Sequence, residues 1–275
     1  MAVQKSVAAA SEIHDIRWKK MKQAFGKLHQ QDSPLILSNV WDVASAKVAE
    51  KLGFQAIGTS SGAIATSLGY ADGEEISFAE LKYIVGRITS TTNIPLTVDL
   101  EAGYSRNPLE IADHILQLQA LGIAGINIED SLVGQKRYLL EAHAFKVHLE
   151  AIVSALGNTA KTLFINVRTD TFLLNHQNPI QETILRAHQY EQAGASGLFV
   201  PCMQNKRDIQ LITQATHLPI NVMCMPELPS FSTLHSLGIK RISMGNFIFN
   251  RMLGRLEEEL KGVLLAESFE HVFQA

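Results

Sequence analysis

The stretch "PLEIADHILQLQALGIAGINIED", residues 108–130, contains a helix, a turn, a strand and a charged end in that order. Pro108 suits the first turn of a helix, and apolar residues then recur at three- and four-residue spacing. Gly122 suits the position just after a helix, where glycine tolerates positive φ. A nearly continuous apolar run follows and ends at Glu129 and Asp130. The stretch therefore predicts a helix leading into a buried parallel strand that ends in acids.

The same unit recurs along the chain. Four helical patterns end in a glycine that precedes an apolar run, namely at Gly53, Gly122, Gly194 and Gly238. Three other runs open with a proline, at Pro34, Pro95 and Pro219. The predicted strands lie at 34–40, 55–60, 94–100, 124–130, 162–168, 197–201, 219–223 and 240–245.

Eight strand–helix units in 275 residues, with no linker or low-complexity stretch, predict one (β/α)₈ barrel, the TIM-barrel architecture. A doubly wound open sheet is the alternative. We expect one domain over residues 1–275, with a helical segment at 1–30 and additional helices at 246–275.

The composition is that of an enzyme rather than a nucleic-acid or membrane protein. Charged residues make up 19% of the chain and the net charge is −3, so no basic surface for nucleic acid is expected. No apolar run is long enough to span a membrane, and we expect no signal peptide. The two cysteines, Cys202 and Cys224, fit a reducing compartment, and the predicted location is the cytoplasm.

Polar residues follow the predicted strands, where a barrel of this kind places its active site. In "TVDLEAGYS", residues 97–105, Asp99 and Glu101 are two residues apart at the end of a predicted strand, so strand alternation places them on one face. The ends of the other runs contribute further polar residues: Asn39, Ser60, Ser61, Glu129, Asp130, Arg168, Asp170 and Asn221. Several carboxylates and an arginine are therefore expected to meet at one mouth of the barrel.

Carboxylates without neighbouring cysteine or histidine favour a hard divalent cation over zinc. We therefore predict Mg²⁺, with Mn²⁺ as a substitute, at Asp99, Glu101 and Glu129. Few direct protein bonds and several retained waters are expected, as is usual for magnesium.

The chain resembles the isocitrate lyase and phosphoenolpyruvate mutase superfamily over about residues 30–255. The matching pieces are "NVWD" (39–42), "GTSSGAIATSLGYAD" (58–72), "VDLEAGYS" (98–105), "NIEDS" (127–131), "NVRTD" (166–170) and "LGIKRISMG" (237–245). The resemblance implies that Asp99, Glu101 and Glu129 bind magnesium, some of them through coordinated water.

It also implies roles for other residues. Ser60, Ser61 and Gly62 would bind the substrate carboxylate, and Trp41 would form a wall of the pocket. Asp72 would lie near the reacting centre, and Arg168 would contact the substrate oxygens. Asn221, at the end of the seventh run, completes the predicted substrate-binding set. We predict Arg168, Asp72 and Glu129 as the catalytic residues.

The chemistry of these side chains agrees with this assignment. Magnesium and an arginine together can stabilise the enolate left when a bond at C3 of a 2-oxo acid breaks. The sequence departs from the lyases at 131–143, "SLVGQKRYLLEAH", which lacks their "KKCGH"-like cysteine. It also lacks the asparagine-bearing pattern of the phosphonate mutases. Gly134 as a hinge, with Lys136, Arg137 and Tyr138, predicts a loop that closes over an anionic substrate.

The predicted function is a magnesium-dependent lyase for a small 2-oxo acid or 2-hydroxy diacid, acting through a pyruvate-type enolate. Oxaloacetate decarboxylation and retro-aldol cleavage of a substituted malate are its leading forms. The alternatives are a phosphonate-metabolising mutase or hydrolase, or a non-catalytic protein that binds 2-oxo acids.

The tail predicts assembly. Residues 246–264 read as a helix with one apolar stripe, formed by Phe247, Ile248, Met252, Leu253, Leu256 and Leu260. A barrel that already has its eight helices offers this stripe no partner, and the resemblance implies exchange of a terminal helix between neighbouring barrels. We expect a homotetramer, a dimer of dimers, formed through the tail; a helix folded back on its own barrel is the alternative.

Overall fold

A computed structural model describes residues 25–273. Eight parallel strands close into a barrel in the order β1-β2-β3-β4-β7-β8-β9-β10. They span Leu35–Val40 (β1), Ile57–Thr59 (β2), Leu96–Asp99 (β3), Gly125–Glu129 (β4), Phe164–Arg168 (β7), Gly197–Phe199 (β8), Ile220–Met223 (β9) and Arg241–Ser243 (β10). All eight lie within the predicted runs, so the (β/α)₈ prediction is confirmed and the open sheet is wrong.

The helices occupy the connections between these strands. They are Val43–Lys51 (α1), Ser61–Leu68 (α2), Phe78–Thr89 (α3), Pro108–Ala120 (α4), Ala142–Leu156 (α5), Pro179–Gln192 (α6), Lys206–Ala215 (α7), Phe231–Ser236 (α8) and Phe247–Ala266 (α9). Two 3₁₀ turns span Gly157–Lys161 and Glu270–Phe273. The predicted N-terminal helical segment and the expected lack of a signal peptide concern residues that lie mostly before residue 25, outside the described part of the chain.

The turns behave as the glycines and prolines predict. Gly53, Gly122, Gly194 and Gly238 all have positive φ, between +82° and +100°. Each follows the last turn of a helix and allows the chain to turn into the next strand. Pro34, Pro95 and Pro219 each stand one residue before a strand, namely β1, β3 and β9. These turns set the start of each strand and therefore which residues reach its far end.

The main core lies between the strands and the surrounding helices and consists largely of buried Ile, Leu and Val. A smaller aromatic and aliphatic cluster of Phe25, Leu35, Leu37, Ala56, Ala124 and Phe164 fills the amino-terminal end of the barrel. Among the described residues, no helix is long and apolar enough to cross a membrane.

The connection after β4 contains a hairpin rather than a plain loop. Strands β5 (Ser131–Val133) and β6 (Arg137–Leu139) pair antiparallel, with Leu132 opposite Tyr138. The predicted loop 131–143 thus has a defined shape, and its second strand brings Arg137 back over the mouth of the barrel.

Candidate active site

The carboxyl-terminal mouth of the barrel holds a group of acids and arginines that we call the site cluster: Asp99, Glu129, Arg137, Arg168 and Asp170. These residues come from the ends of β3, β4 and β7 and from the β5–β6 hairpin. The side chains of Arg137 and Arg168 are 17% and 16% exposed, so the cluster is open to solvent on one side.

Asp170 orients both arginines. Arg168 Nε donates to Asp170 Oδ1 at 2.7 Å, and Arg168 Nη2 donates to Oδ2 at 3.2 Å. Arg137 Nη1 also donates to Asp170 Oδ2 at 3.2 Å. Burial would raise the pKa of Asp170, but Arg168, the hydroxyl of Ser131 and Arg137 hold that pKa below its usual value. Asp170 is therefore an ionised acceptor that fixes the two guanidinium planes.

Glu129 is 3% exposed and lies between the same two arginines. Arg137 Nη1 donates to its Oε1. Arg168 Nη1 lies 3.2 Å from Oε2, yet that oxygen has no hydrogen-bond partner within residues 25–273. Burial raises the pKa of Glu129, and Arg168 and Arg137 oppose that rise. Glu129 Oε2 is therefore ion-paired with Arg168 without an aligned hydrogen bond, and it retains acceptor capacity for a ligand.

Asp99 lies at the end of β3, facing α2. Ser61 Oγ lies 2.9 Å from Asp99 Oδ2 and 3.4 Å from Asp72 Oδ1, so one hydroxyl links the two acids. A Cβ on Gly62 would lie 3.3 Å from Asp72 Cγ, so the absence of a side chain allows this approach. The structure thus brings Ser61, Gly62, Asp72 and Asp99 together.

Glu101 requires a correction. Strand β3 ends at Asp99, and Glu101 has a φ of 51°, so the two acids do not share a strand face. Glu101 Oε1 accepts from Tyr104 OH at 2.8 Å, and Oε2 accepts from the backbone N–H of Glu74 at 2.8 Å. Burial, and next the charge of Asp99, raise the pKa of Glu101 to about 8. Both oxygens are engaged in holding the segment that carries Asp72.

Asn221 also departs from its predicted place. Its side chain is 1% exposed and lies within the barrel. Its Oδ1 accepts from Asn166 Nδ2 at 3.2 Å, and its Nδ2 donates to the carbonyl of Val222 at 2.7 Å. These bonds hold the amide of Asn221 inside the barrel, and its predicted contact with the substrate stays a prediction.

Trp41 and Ser60 flank the mouth. Trp41 follows β1 directly and packs edge-to-face on Phe249 of α9, with ring centroids 5.0 Å apart. Ser60 is the N-cap of α2 and accepts from the backbone N–H of Ala63 at 3.4 Å. Ser60 therefore presents the amino end of α2 to the site, while its hydroxyl caps the helix.

Two members of the site cluster were not assigned a role from the sequence. Arg137 was expected only as part of a closing loop, but it contacts Glu129 and Asp170 directly. The sequence places Asp170 just after a predicted strand but does not indicate a function for it. The signal available for Asp170 was its position two residues after Arg168. Nothing in the spacing of Arg137 marks it, because its position depends on the hairpin register.

A second charged group, the anchor cluster of Asp130, Arg186 and Tyr190, lies on the other side of β4. Asp130 Oδ2 accepts from Arg186 Nη1 at 2.8 Å and from Tyr190 OH at 2.7 Å. Arg186 Nη2 donates to the carbonyl of Leu140 at 2.7 Å. The three side chains are 0–3% exposed, so this cluster joins β4, α6 and the end of the hairpin out of reach of solvent.

No group of three or more His, Cys, Asp or Glu side chains within residues 25–273 is arranged to hold a metal ion. The predicted metal site at Asp99, Glu101 and Glu129, with few direct protein bonds, remains a prediction. A cavity of about 830 Å³ opens at the opposite, amino-terminal end of the barrel and is lined by Lys27, His29, Lys161 and Lys240 among others. We place the site by its charges rather than by that cavity, because barrel enzymes carry their chemistry at the carboxyl end.

The fold and these charges define a class: a (β/α)₈ barrel with an acid–arginine site at its carboxyl-terminal mouth. The sequence profile of the phosphoenolpyruvate phosphomutase family matches residues 25–264. The chain therefore belongs to this family.

Individual relatives agree with this placement. An uncharacterised protein of Mycobacterium tuberculosis is 34% identical over 223 residues, covering 81% of this chain and 82% of its own. An oxaloacetate decarboxylase of Paraburkholderia xenovorans is 29% identical over 234 residues, covering 82% and 76%. The crystal structure of a proposed phosphonomutase from Burkholderia cenocepacia is 34% identical with a TM-score of 0.83, covering 88% and 99%.

Proposed function

We propose that the protein is a lyase that cleaves a carbon–carbon bond at C3 of an oxaloacetate-like acid through a pyruvate-type enolate. The observation that carries this proposal is the site cluster, where two guanidinium groups and a buried, incompletely bonded carboxylate meet at the mouth of the barrel. Similarity to an oxaloacetate decarboxylase supports the substrate class.

We further propose that Mg²⁺, or Mn²⁺ in its place, binds at this site. The donors are all carboxylate oxygens, which suits a hard cation. Glu129 Oε2 and the Asp99 carboxylate would hold the ion, and Glu101 would act from a distance while it binds Tyr104. Five acids, Asp72, Asp99, Glu101, Glu129 and Asp170, stand beside two arginines, Arg137 and Arg168, and a divalent cation would relieve the mutual repulsion that helps to raise the pKa values of Asp72, Glu101 and Glu129. When bound, magnesium would polarise the keto oxygen of the substrate.

The chain's own residues bind and orient the substrate. Arg168 presents a fixed planar fork, which matches a carboxylate or enolate and stays charged. The backbone N–H groups at the amino end of α2, at Ser61 and Gly62, are positioned for the substrate carboxylate. Breaking the C3 bond leaves its electron pair in the enolate, which must then take up a proton at C3.

Asp72 is the residue we assign to that proton transfer. Asp72 as a whole residue is exposed, yet partial desolvation of its carboxyl, and then the charge of Asp99, raise its pKa. A raised pKa favours a carboxyl group that can donate a proton near neutral pH.

A coupled assay for pyruvate tests the proposed activity. The panel should contain oxaloacetate, substituted malates, other 2-oxo diacids and phosphonopyruvate, each with and without magnesium. We expect turnover of an oxaloacetate-like member and loss of activity after EDTA treatment, with recovery on adding Mg²⁺. Full activity in metal-free protein would contradict the metal assignment.

Two outcomes of the same panel favour the alternatives. Turnover of phosphonopyruvate alone would favour a phosphonate mutase or hydrolase, for which the similarity to a proposed phosphonomutase speaks. No turnover together with tight oxalate binding would favour a non-catalytic 2-oxo-acid-binding protein.

We also propose a homotetramer formed through the tail, and a cytoplasmic location. Helix α9 runs from Phe247 to Ala266, and Phe249 is its one buried residue. The predicted apolar stripe is 36–55% exposed along Phe247, Ile248, Met252, Leu253, Leu256 and Leu260. An apolar face of this length is typical of an interface. Sedimentation should give a mass near four chains of 30.3 kDa, and a stable monomer at micromolar concentration would contradict it.

A further inference from the structure

Arg241 is a buried cation for which the proposed chemistry has no use. It opens β10, where it pairs with Leu35 of β1 and Asn221 of β9, and it is 1% exposed. Its Nη2 donates to Asn127 Oδ1 at 3.3 Å. Its Nε and Nη1 have no hydrogen-bond partner in the described part of the chain. A buried guanidinium with two unmet donors is costly, so its charge calls for a physical explanation.

The layer around Arg241 is polar but uncharged. Asn166 Nδ2 donates to Asn127 Oδ1 at 2.9 Å and to Asn221 Oδ1 at 3.2 Å. Asn221 Nδ2 lies 3.1 Å from Ser243 Oγ. Amide and hydroxyl dipoles orient in the field of a guanidinium but carry no net charge. The positive charge of Arg241 is therefore not neutralised by any side chain it contacts among residues 25–273.

Asn127 connects this buried charge to the site cluster. Its side chain accepts from Arg241, and its backbone pairs with Asp99 in the β3–β4 register. Two residues further along β4 is Glu129. Burial lowers the pKa of Arg241 to about 9, and the charge of Asp99 acts in the opposite direction. Arg241 is thus protonated at neutral pH and lies on the barrel side of the acids.

We propose that Arg241 is a positioning residue that balances the acids of the site cluster from inside the barrel. Its fixed charge lies behind the ends of β3 and β4, joined to them through Asn127, and partly offsets the negative charge of the acids before any ligand binds. The same charge repels a divalent cation and attracts an anionic substrate. This inference rests on the proposed function, because it assumes that the site binds a cation and an anion in turn.

The sign of the effect separates this role from a structural one. Removing a buried positive charge that acts on the site should strengthen cation binding and weaken anion binding. General damage to the barrel should instead weaken both. In a partly buried site, like charges several ångströms apart still interact appreciably, so a change of about tenfold in each affinity is expected.

Calorimetric titration of metal-free protein with MnCl₂, and of manganese-loaded protein with oxalate, tests the inference. Arg241→Met removes the charge and keeps an unbranched chain. We expect Mn²⁺ to bind about tenfold more tightly and oxalate about tenfold more weakly. Arg241→Lys places at this position an amine that burial neutralises more readily than a guanidinium, so both affinities should lie between those of the parent and of Arg241→Met. Arg87→Met, which removes an exposed arginine from the last turn of α3, should change neither.

Arg241→Gln is a second neutral variant that can still donate to Asn127. If either neutral variant folds and binds Mn²⁺ equally or less tightly, the inference is wrong. If both fail to fold even with MnCl₂ present, Arg241 is a structural residue and the inference is also wrong. If the parent protein binds no Mn²⁺, the proposed metal site itself is wrong. That result comes from the parent alone and is therefore distinguishable from a failure of the inference about Arg241.

Discussion

Glu129 and Asp130 are consecutive residues at the end of one strand, and each is buried against an arginine, yet they belong to two different kinds of site. In the anchor cluster, Asp130 accepts hydrogen bonds from Arg186 and Tyr190, and Arg186 also donates one to the Leu140 carbonyl. In the site cluster, Glu129 keeps an oxygen without a hydrogen bond, and its arginines reach solvent.

The difference teaches that a buried ion pair does not by itself indicate function. A cluster whose donors and acceptors are matched has nothing left to offer a ligand, so its value is structural. A cluster with an unmatched oxygen, an excess of one charge and a path to solvent can bind something. Three experiments test this distinction, and a fourth measures a contribution to pH dependence that belongs to neither cluster; they run from the largest expected effect to the smallest.

Asp99→Ala should abolish turnover in the site cluster while the fold survives. We expect kcat/KM to fall by at least about 10⁴-fold, equivalent to about 5.4 kcal/mol, because the variant lacks an acid proposed to hold the metal. Removing one of several neighbouring acids also relieves repulsion, so thermal unfolding should not move to lower temperature. Asp113→Ala, at an exposed acid of α4, is the control and should keep full activity. Substantial turnover in Asp99→Ala would remove it from the site.

Asp130→Asn should have the opposite profile. It removes the fully buried counter-ion of Arg186 and leaves only the partly exposed Glu182, so we expect about 3 kcal/mol less stability in urea denaturation. The molecules that remain folded should turn over substrate at the parental kcat. A strong loss of kcat with unchanged stability would mean that the two clusters have been assigned the wrong way round.

Arginine-to-lysine changes make a matched pair across the two clusters. Arg168→Lys keeps the charge but loses the fork, and kcat/KM should fall about tenfold, or about 1.4 kcal/mol. Arg186→Lys loses the bidentate reach to Asp130 and Leu140, and we expect lower stability with unchanged kcat. Both kcat/KM and the free energy of unfolding should be measured for both variants. If the two variants lose equal stability, the proposed difference between the site cluster and the anchor cluster is wrong.

A smaller effect on stability comes from His29, which belongs to neither cluster. Its contribution to the pH dependence of stability must be subtracted before that of either cluster can be measured. Burial, and next the charge of Arg241, lower the pKa of His29 to about 3. The unfolded chain binds a proton below about pH 6.5 and the folded chain does not, so stability is present above that pH and falls as the solution is acidified. Between pH 8 and pH 6 we expect a loss of about 0.8 kcal/mol from this residue.

His29→Gln should remove that part of the pH dependence in urea denaturation at pH 6 and pH 8. The pH dependence of stability that remains in this variant can then be assigned to the site cluster or the anchor cluster by adding substitutions in each. A variant with the parental pH dependence would show that His29 does not titrate as its burial indicates.

The sequence predicted the barrel because its signals are local. Gly122 and its counterparts after three other helices, and the prolines before three strands, act on the backbone within a few residues. The apolar runs between these glycines and prolines are stable only as strands that are buried on both faces. Counting these units gives eight strands, and the carboxyl end of each strand locates Asp99, Glu129 and Arg168 without any knowledge of contacts.

Two side chains have surroundings that the sequence does not predict, and the physical cause is different. Glu101 was placed on the face of Asp99 by strand alternation, but β3 stops at Asp99 and the turn redirects Glu101 to Tyr104 and Glu74. Asn221 stands at a strand end, yet neighbouring strands supply partners that keep its amide inside the barrel. In both cases the local pattern was correct about position along the chain and carried no information about partners from other elements.

What the sequence by itself determined is therefore the barrel, the end of it that carries the polar residues, and the family. What only the tertiary structure decided is which charges face one another. Arg137 reaches Glu129 through a hairpin register, and Asp130 meets Arg186 across 56 residues of chain. Backbone conformation depends on near neighbours in sequence, whereas electrostatic pairing depends on distance in space, and the closing of the barrel sets those distances.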